Sequence, residues 1–122
     1  MLFRSTLTRT IAAVVLTSTA APAHAQDAAT FFEETCAACH SIGGAVEDTA
    51  PNLKDVTKRH DRAWLMSFIS NPEEMSKRDA VAAALVKKWD MVMPQIDGLT
   101  PELIEGLLRY IDRKSTRLNS SH

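Results

Sequence analysis

A chain of 122 residues is long enough for one domain at most. Its 14 Lys and Arg against 15 Asp and Glu leave it near neutrality, with no basic block and no aromatic–basic interleaving, so nothing suggests a nucleic-acid partner. It has only two cysteines, too few by themselves to close a four-ligand zinc site.

Residues 1–25 read as an export signal. Arg4 and Arg9 make a positive start, residues 11–16 are a short apolar run, and Ala23-His24-Ala25 fits the small-x-small cleavage rule. The run is too short to span a bilayer, so no stable membrane insertion is expected after cleavage behind Ala25. Retention as an anchor is the competing reading. The mature chain of 26–113 keeps 12 basic against 15 acidic side chains when the tail is counted, a mildly acidic balance that favours partners with a positive docking patch.

Residues 27–39 are expected to be the first helix, with Asp27 at its acid-favouring start. They end in Cys36-Ala37-Ala38-Cys39-His40, two thiols three positions apart and then a histidine, the pattern that attaches a c-type haem. On a helix, i and i+3 share a face, so both sulfurs can reach one edge of a porphyrin. His40 then stands next in line as the proximal iron ligand. A thioredoxin-like dithiol would want a strand before the motif, and the residues before it read as helix. Thioether attachment consumes both thiols, so no disulfide is left to stabilise a domain this small. Some ninety residues bury a marginal core alone. The apo form is therefore expected to be poorly folded.

Residues 41–53 read as loop, with Gly43-Gly44 permitting unusual backbone angles and Glu47-Asp48 solvated. Residues 61–70 carry Trp64, Leu65, Phe68 and Ile69 on one apolar face, and Asn71-Pro72 ends that helix. A buried Trp usually finds a partner, which makes the Trp64 indole N–H a candidate donor to a haem propionate. His60 reads as an exposed residue at the start of this helix. Residues 73–89 form another helical stretch, with Val81, Leu85 and Trp89 repeating at four and Lys77, Arg78, Lys87 and Lys88 on its polar side. Met91 and Met93 follow, and Pro94 confines Met93 to extended geometry, suiting a loop residue that points a long side chain inward. Thr100 reads as an N-cap with Pro101 at the first helical position, ahead of Leu103, Ile104, Leu107, Leu108, Tyr110 and Ile111. Residues 114–122 have no apolar period and are set apart as a disordered or non-native tail.

Four separated pieces over residues 28–113 resemble the class I cytochrome c family: the Cys36–His40 motif, Ala50-Pro51-Asn52-Leu53, Met93-Pro94 with the run to Thr100, and the last helix. The resemblance implies an all-α cytochrome c fold, four to five short helices wrapped around one covalent haem. It implies that the Pro51 carbonyl accepts a hydrogen bond from the proximal histidine, that Met93 is the sixth ligand with Met91 as the alternative, and that Phe32 packs against Leu107 and Tyr110. The family has glycine where this chain has Ala50, and commonly glycine where it has Ala28 or Ala29.

The implied function is single-electron transfer by a periplasmic monohaem protein, not catalysis, between a protein donor and a protein acceptor, as a monomer or as the subunit of a redox complex. The alternatives are a cytochrome subunit of a periplasmic dehydrogenase or reductase, a haem enzyme, or a gas-binding sensor with an open iron position.

Overall fold

The helix leading into the cysteine pair starts earlier and ends sooner than its sequence predicts. It runs as α1 (Ala23–Thr35) and then tightens into a single 3₁₀ turn, Cys36–Ala38. The computed structural model describes residues 12–19, 23–44 and 49–121. Among them lie six α-helices and no strand: α1, α2 (Val56–Arg59), α3 (Arg62–Ser70), α4 (Pro72–Arg78), α5 (Ala80–Trp89) and α6 (Pro101–Ser120). Of the expected export signal, residues 1–11 and 20–22 lie outside the described residues. Residues 12–19 are exposed and without regular structure, and the expected cleavage point falls within the first turn of α1.

α1 and α6 pack across each other and form the base of the molecule. Ala28 has no exposed surface and shares a core with Phe32, Leu65, Leu107, Leu108, Tyr110 and Ile111. A methyl group at position 28 lets the helices approach where a larger side chain would hold them apart. The Phe32 and Tyr110 rings lie 5.4 Å apart and tilted by 50°, within the range that aromatic quadrupoles favour. Tyr110 also donates its hydroxyl to Glu33 Oε1 at 2.6 Å, and Lys114 Nζ reaches the same oxygen at 3.2 Å. The Tyr110 hydroxyl first, and Lys114 second, hold the Glu33 carboxyl below its usual range.

Side-chain caps from Asn71, Asp79 and Thr100 open the last three helices. Thr100 Oγ1 accepts from Leu103 N at 3.1 Å ahead of Pro101, as its sequence predicts. The expected single helix over 73–89 is instead two. Asp79 takes extended angles and its carboxylate accepts from Ala82 N at 2.9 Å, ending α4 and capping α5. This turns Val81 outward, 47 % exposed, and buries Ala82 in its place.

α6 brings a second correction. Residues 114–120 are not a disordered tail but the continuation of this helix: no Gly or Pro interrupts them, Ser115 is buried and accepts from Asp55 N at 3.0 Å, and Asn119 reaches the Asp55 carboxylate at 3.0 Å. α3 lies on α6 through buried Leu65 and an Arg62 guanidinium 3.0 Å from Glu105, a half-exposed pair that contributes little by itself.

Candidate cofactor site

A cavity of about 970 Å³ opens between these helices. Its floor is the apolar face of α6, and α3 and α5 form one side. Loops on either side supply Cys36, Cys39, His40 and Pro51 on one hand and Met91 and Met93 on the other.

The 3₁₀ turn sharpens the expected placement of the thiols. Cys39 N and His40 N both donate to Cys36 O, at 3.2 and 3.0 Å. Residues i and i+3 of a 3₁₀ turn eclipse one another, so Cys36 and Cys39 stand on the same side more closely than on an α-helix. Both line the cavity as free cysteines. Burial pushes the Cys36 thiol up to about 11, so it is protonated at neutral pH.

His40 Nδ1 lies 2.8 Å from the Pro51 carbonyl oxygen. A carbonyl only accepts, so Nδ1 carries a proton, and it is Nε2 that the neutral ring would offer to a metal. Of the two methionines, Met93 is half-buried and Met91 is 50 % exposed.

Trp64 lies in the cavity wall, stacked between His60 (4.5 Å, 18°) and Phe68 (5.1 Å, 13°). His60 is therefore a half-buried residue between α2 and α3, not the exposed one expected. Burial first, then the Arg59 charge, lowers its pKa. The indole N–H groups of Trp64 and Trp89 are both buried, with no hydrogen-bond partner among the described residues. Asp79 feels the Trp64 indole, after the Ala82 N–H, as an influence lowering its pKa, but the two do not form a bond of normal geometry. Trp89 is the site residue that sequence reasoning placed only as a helix repeat. The available signal was a tryptophan four residues before Met93.

Charge completes the arrangement. Among the described residues, Lys54, Arg59 and Lys88 line the cavity against one carboxylate, Asp55, in a chain whose net charge is −1. These residues fit a c-type haem: two thiols side by side, an imidazole with a free nitrogen, a thioether on another loop, apolar walls, and orphan N–H groups and cations suited to two propionates.

The family model for cytochrome c matches residues 25–114. The fold is similar to that of cytochrome c from Rhodothermus marinus, at 25% identity and a TM-score of 0.69 over 93% of this chain and 91% of that one. It is similar also to an engineered form of the Rhodothermus marinus protein (25% identity, TM-score 0.67, covering 92% and 91%). A third likeness is the cytochrome c domain of the pp3183 protein from Pseudomonas putida (25% identity, TM-score 0.66, covering 77% and 92%). No curated protein matches the chain.

Proposed function

This chain belongs to the cytochrome c family, a haem c protein of electron transport, and on that footing we propose that it is an exported one-electron carrier whose iron is held by His40 and Met93. Cys36 and Cys39 fit the haem c attachment motif of the family. Bound there, the haem supplies reversible one-electron chemistry at iron.

The observation that carries the axial assignment is the 2.8 Å contact of His40 Nδ1 with the Pro51 carbonyl. It supports a ring held by one nitrogen with the other free for a metal, and such a partner fixes the ring and raises its basicity. Met93 contributes a soft, uncharged sulfur, which stabilises the ferrous state and raises the potential. It is favoured over Met91 because Met93 is the more buried of the two and precedes Pro94. Trp64 serves as a wall of the haem pocket with its N–H toward Asp79, the Trp89 N–H serves a propionate, and the apolar walls keep water from the ring. Export follows from the signal-like residues 1–25, and the working compartment is the periplasm. The partners are a protein donor and a protein acceptor.

The test is an optical spectrum of the exported protein, oxidised and reduced, with carbon monoxide added last. Low-spin bands, a weak ferric sulfur-to-iron band in the far red and no response to carbon monoxide are expected. A high-spin spectrum that shifts with carbon monoxide would overturn the two-ligand assignment in favour of an open iron.

A further inference from the structure

One side chain, Asn52, joins the two stretches, between the 3₁₀ turn and α2, that carry His40 and Pro51. Its carbonyl oxygen accepts from Gly43 N at 3.0 Å and Lys54 N at 2.9 Å, and its amide donates to Gly43 O at 2.9 Å and Ser41 Oγ at 3.3 Å. An asparagine side chain has two N–H hydrogens and two carbonyl lone pairs, so its capacity is fully used. Gly43 makes this possible: at φ +80° the chain turns so that both its N–H and its carbonyl meet the same amide group.

The register of these bonds matters. Ser41 follows His40 directly, and Asn52 follows Pro51 directly. Three of the four bonds therefore cross the same gap that His40 Nδ1 and the Pro51 carbonyl span. One backbone bond, Leu53 N to Ser41 O at 2.8 Å, crosses beside them. From the other side, Arg59 donates to the Asn52 carbonyl at 2.7 Å and to the Lys54 carbonyl, tying the loop to α2.

We propose that Asn52 is a positioning residue for the axial histidine: it sets the distance and direction of the Pro51 carbonyl from His40 Nδ1, and thereby the donor strength of the imidazole. The inference rests on the assignment of His40 as an iron ligand. Hydrogen bonds weaken steeply as their angle departs from linear, so a small drift of the Pro51 loop loosens the bond before it breaks. A weaker bond leaves the imidazole a poorer donor, which disfavours ferric iron and raises the reduction potential. The Leu53–Ser41 and Arg59 bonds remain without Asn52, so the loop keeps its place while losing its precision.

The experiment uses the haem-loaded protein and three variants: Asn52→Ala, Asn52→Asp, and Ile104→Val as a control for general destabilisation away from the cavity. The midpoint potential is measured by redox titration, and exchange of the His40 Nδ1 proton by NMR of the reduced protein. Asn52→Ala is expected to speed that exchange about tenfold, as the loss of roughly one net hydrogen bond implies. Its potential is expected to rise toward the limit of a tenfold shift in the ferrous-to-ferric ratio, about 59 mV for one electron. Asn52→Asp keeps both accepted bonds and loses the donated ones, so its exchange rate should fall between; its added negative charge lowers the potential by itself, so this variant is read by exchange alone. If Asn52→Ala does not accumulate, Asn52→Asp against the parent decides.

Exchange unchanged in both Asn52 variants and potential unchanged in Asn52→Ala, with melting lowered as in Ile104→Val, would make Asn52 a loop staple only and overturn the proposal. A parent lacking a histidine-ligated low-spin spectrum would overturn the ligand assignment itself, before any variant is compared.

Discussion

The aromatic pair between α1 and α6 can be tested by a double-mutant cycle of Phe32→Leu and Tyr110→Leu. Phe32 is 3 % exposed, and replacement by leucine removes three buried carbons, a cost of about 2 kcal/mol at roughly 0.8 kcal/mol each. Tyr110→Leu removes as many carbons and also the hydroxyl that donates to Glu33 at 2.6 Å. Glu33 is solvent-exposed, so that bond adds about 1 kcal/mol, for a total near 3 kcal/mol. At 5.4 Å and 50° the rings should also couple by about 0.5–1.5 kcal/mol beyond their area. The double variant should therefore lose less than the sum of the singles by that amount. Guanidinium unfolding of the haem-loaded protein, followed by far-ultraviolet circular dichroism, measures each corner. Phe32→Leu should lower the melting temperature by about 8–16 °C for a domain of this size. Additivity within about 0.3 kcal/mol would mean that the rings only fill space, and the argument from their geometry would fail.

Three further outcomes are expected. Met93→Ala should keep the haem attached, abolish the ferric sulfur-to-iron band and lower the potential by more than one tenfold step, about 59 mV, whereas Met91→Ala should do neither; the reverse result would move the ligand to Met91. His60 has a folded pKa below its unfolded value of about 6.5, so the unfolded chain binds more protons between the two, and stability is fully present above about pH 6.5 and lost as pH falls toward the folded value. His60→Asn should flatten the dependence of melting temperature on pH over that window, and an unchanged slope would refute it. On warming the oxidised protein, the sulfur-to-iron band should disappear before helical dichroism does, and coincident loss of both would contradict an independently released methionine loop.

What was legible in the sequence was local. The Cys36–His40 spacing and the Thr100-Pro101 start are each set by residues a few positions apart, whereas the α1–α6 pairing of Phe32 with Tyr110 was expected only from the family resemblance. The break at Asp79 was local too, an acid ahead of Ala80-Val81-Ala82, but the continuous run of helix formers on both sides masked its capping role. The four residues of α2 are too few to show a period. The bonds of Asn52 to Gly43 and Ser41 join residues 9 to 11 apart through a loop with no pattern, so only the folded chain reveals them. The extension of α6 past residue 113 lacks an apolar repeat because Ser115 and Asn119 meet polar partners on Asp55 instead.

The candidate ligands His40 and Met93, and the Pro51 carbonyl that meets His40, share a property that the helices do not explain: all three lie outside α-helix. On the proposed ligation, His40 and Met93 would hold the haem iron from two separate segments, one after α1 and one after α5. Loops position groups less precisely than helices do, so each needs its own fastening. The histidine side has it, with four side-chain bonds through Asn52, the Leu53–Ser41 bond and the Arg59 tie. The methionine side has less. Among the described residues, one hydrogen bond, Gln95 Nε2 to the Ser70 carbonyl at 2.8 Å, holds residues 91–96 to the helices, and it lies at the surface. Pro94 narrows the conformations open to Met93, but it acts on the free and the bound loop alike and does not attach either. On the proposed ligation the two positions therefore differ in cost of release: losing the histidine would mean dismantling a network, while losing the methionine would mean freeing one short segment. On that ligation, the methionine is expected to leave the iron before the histidine does.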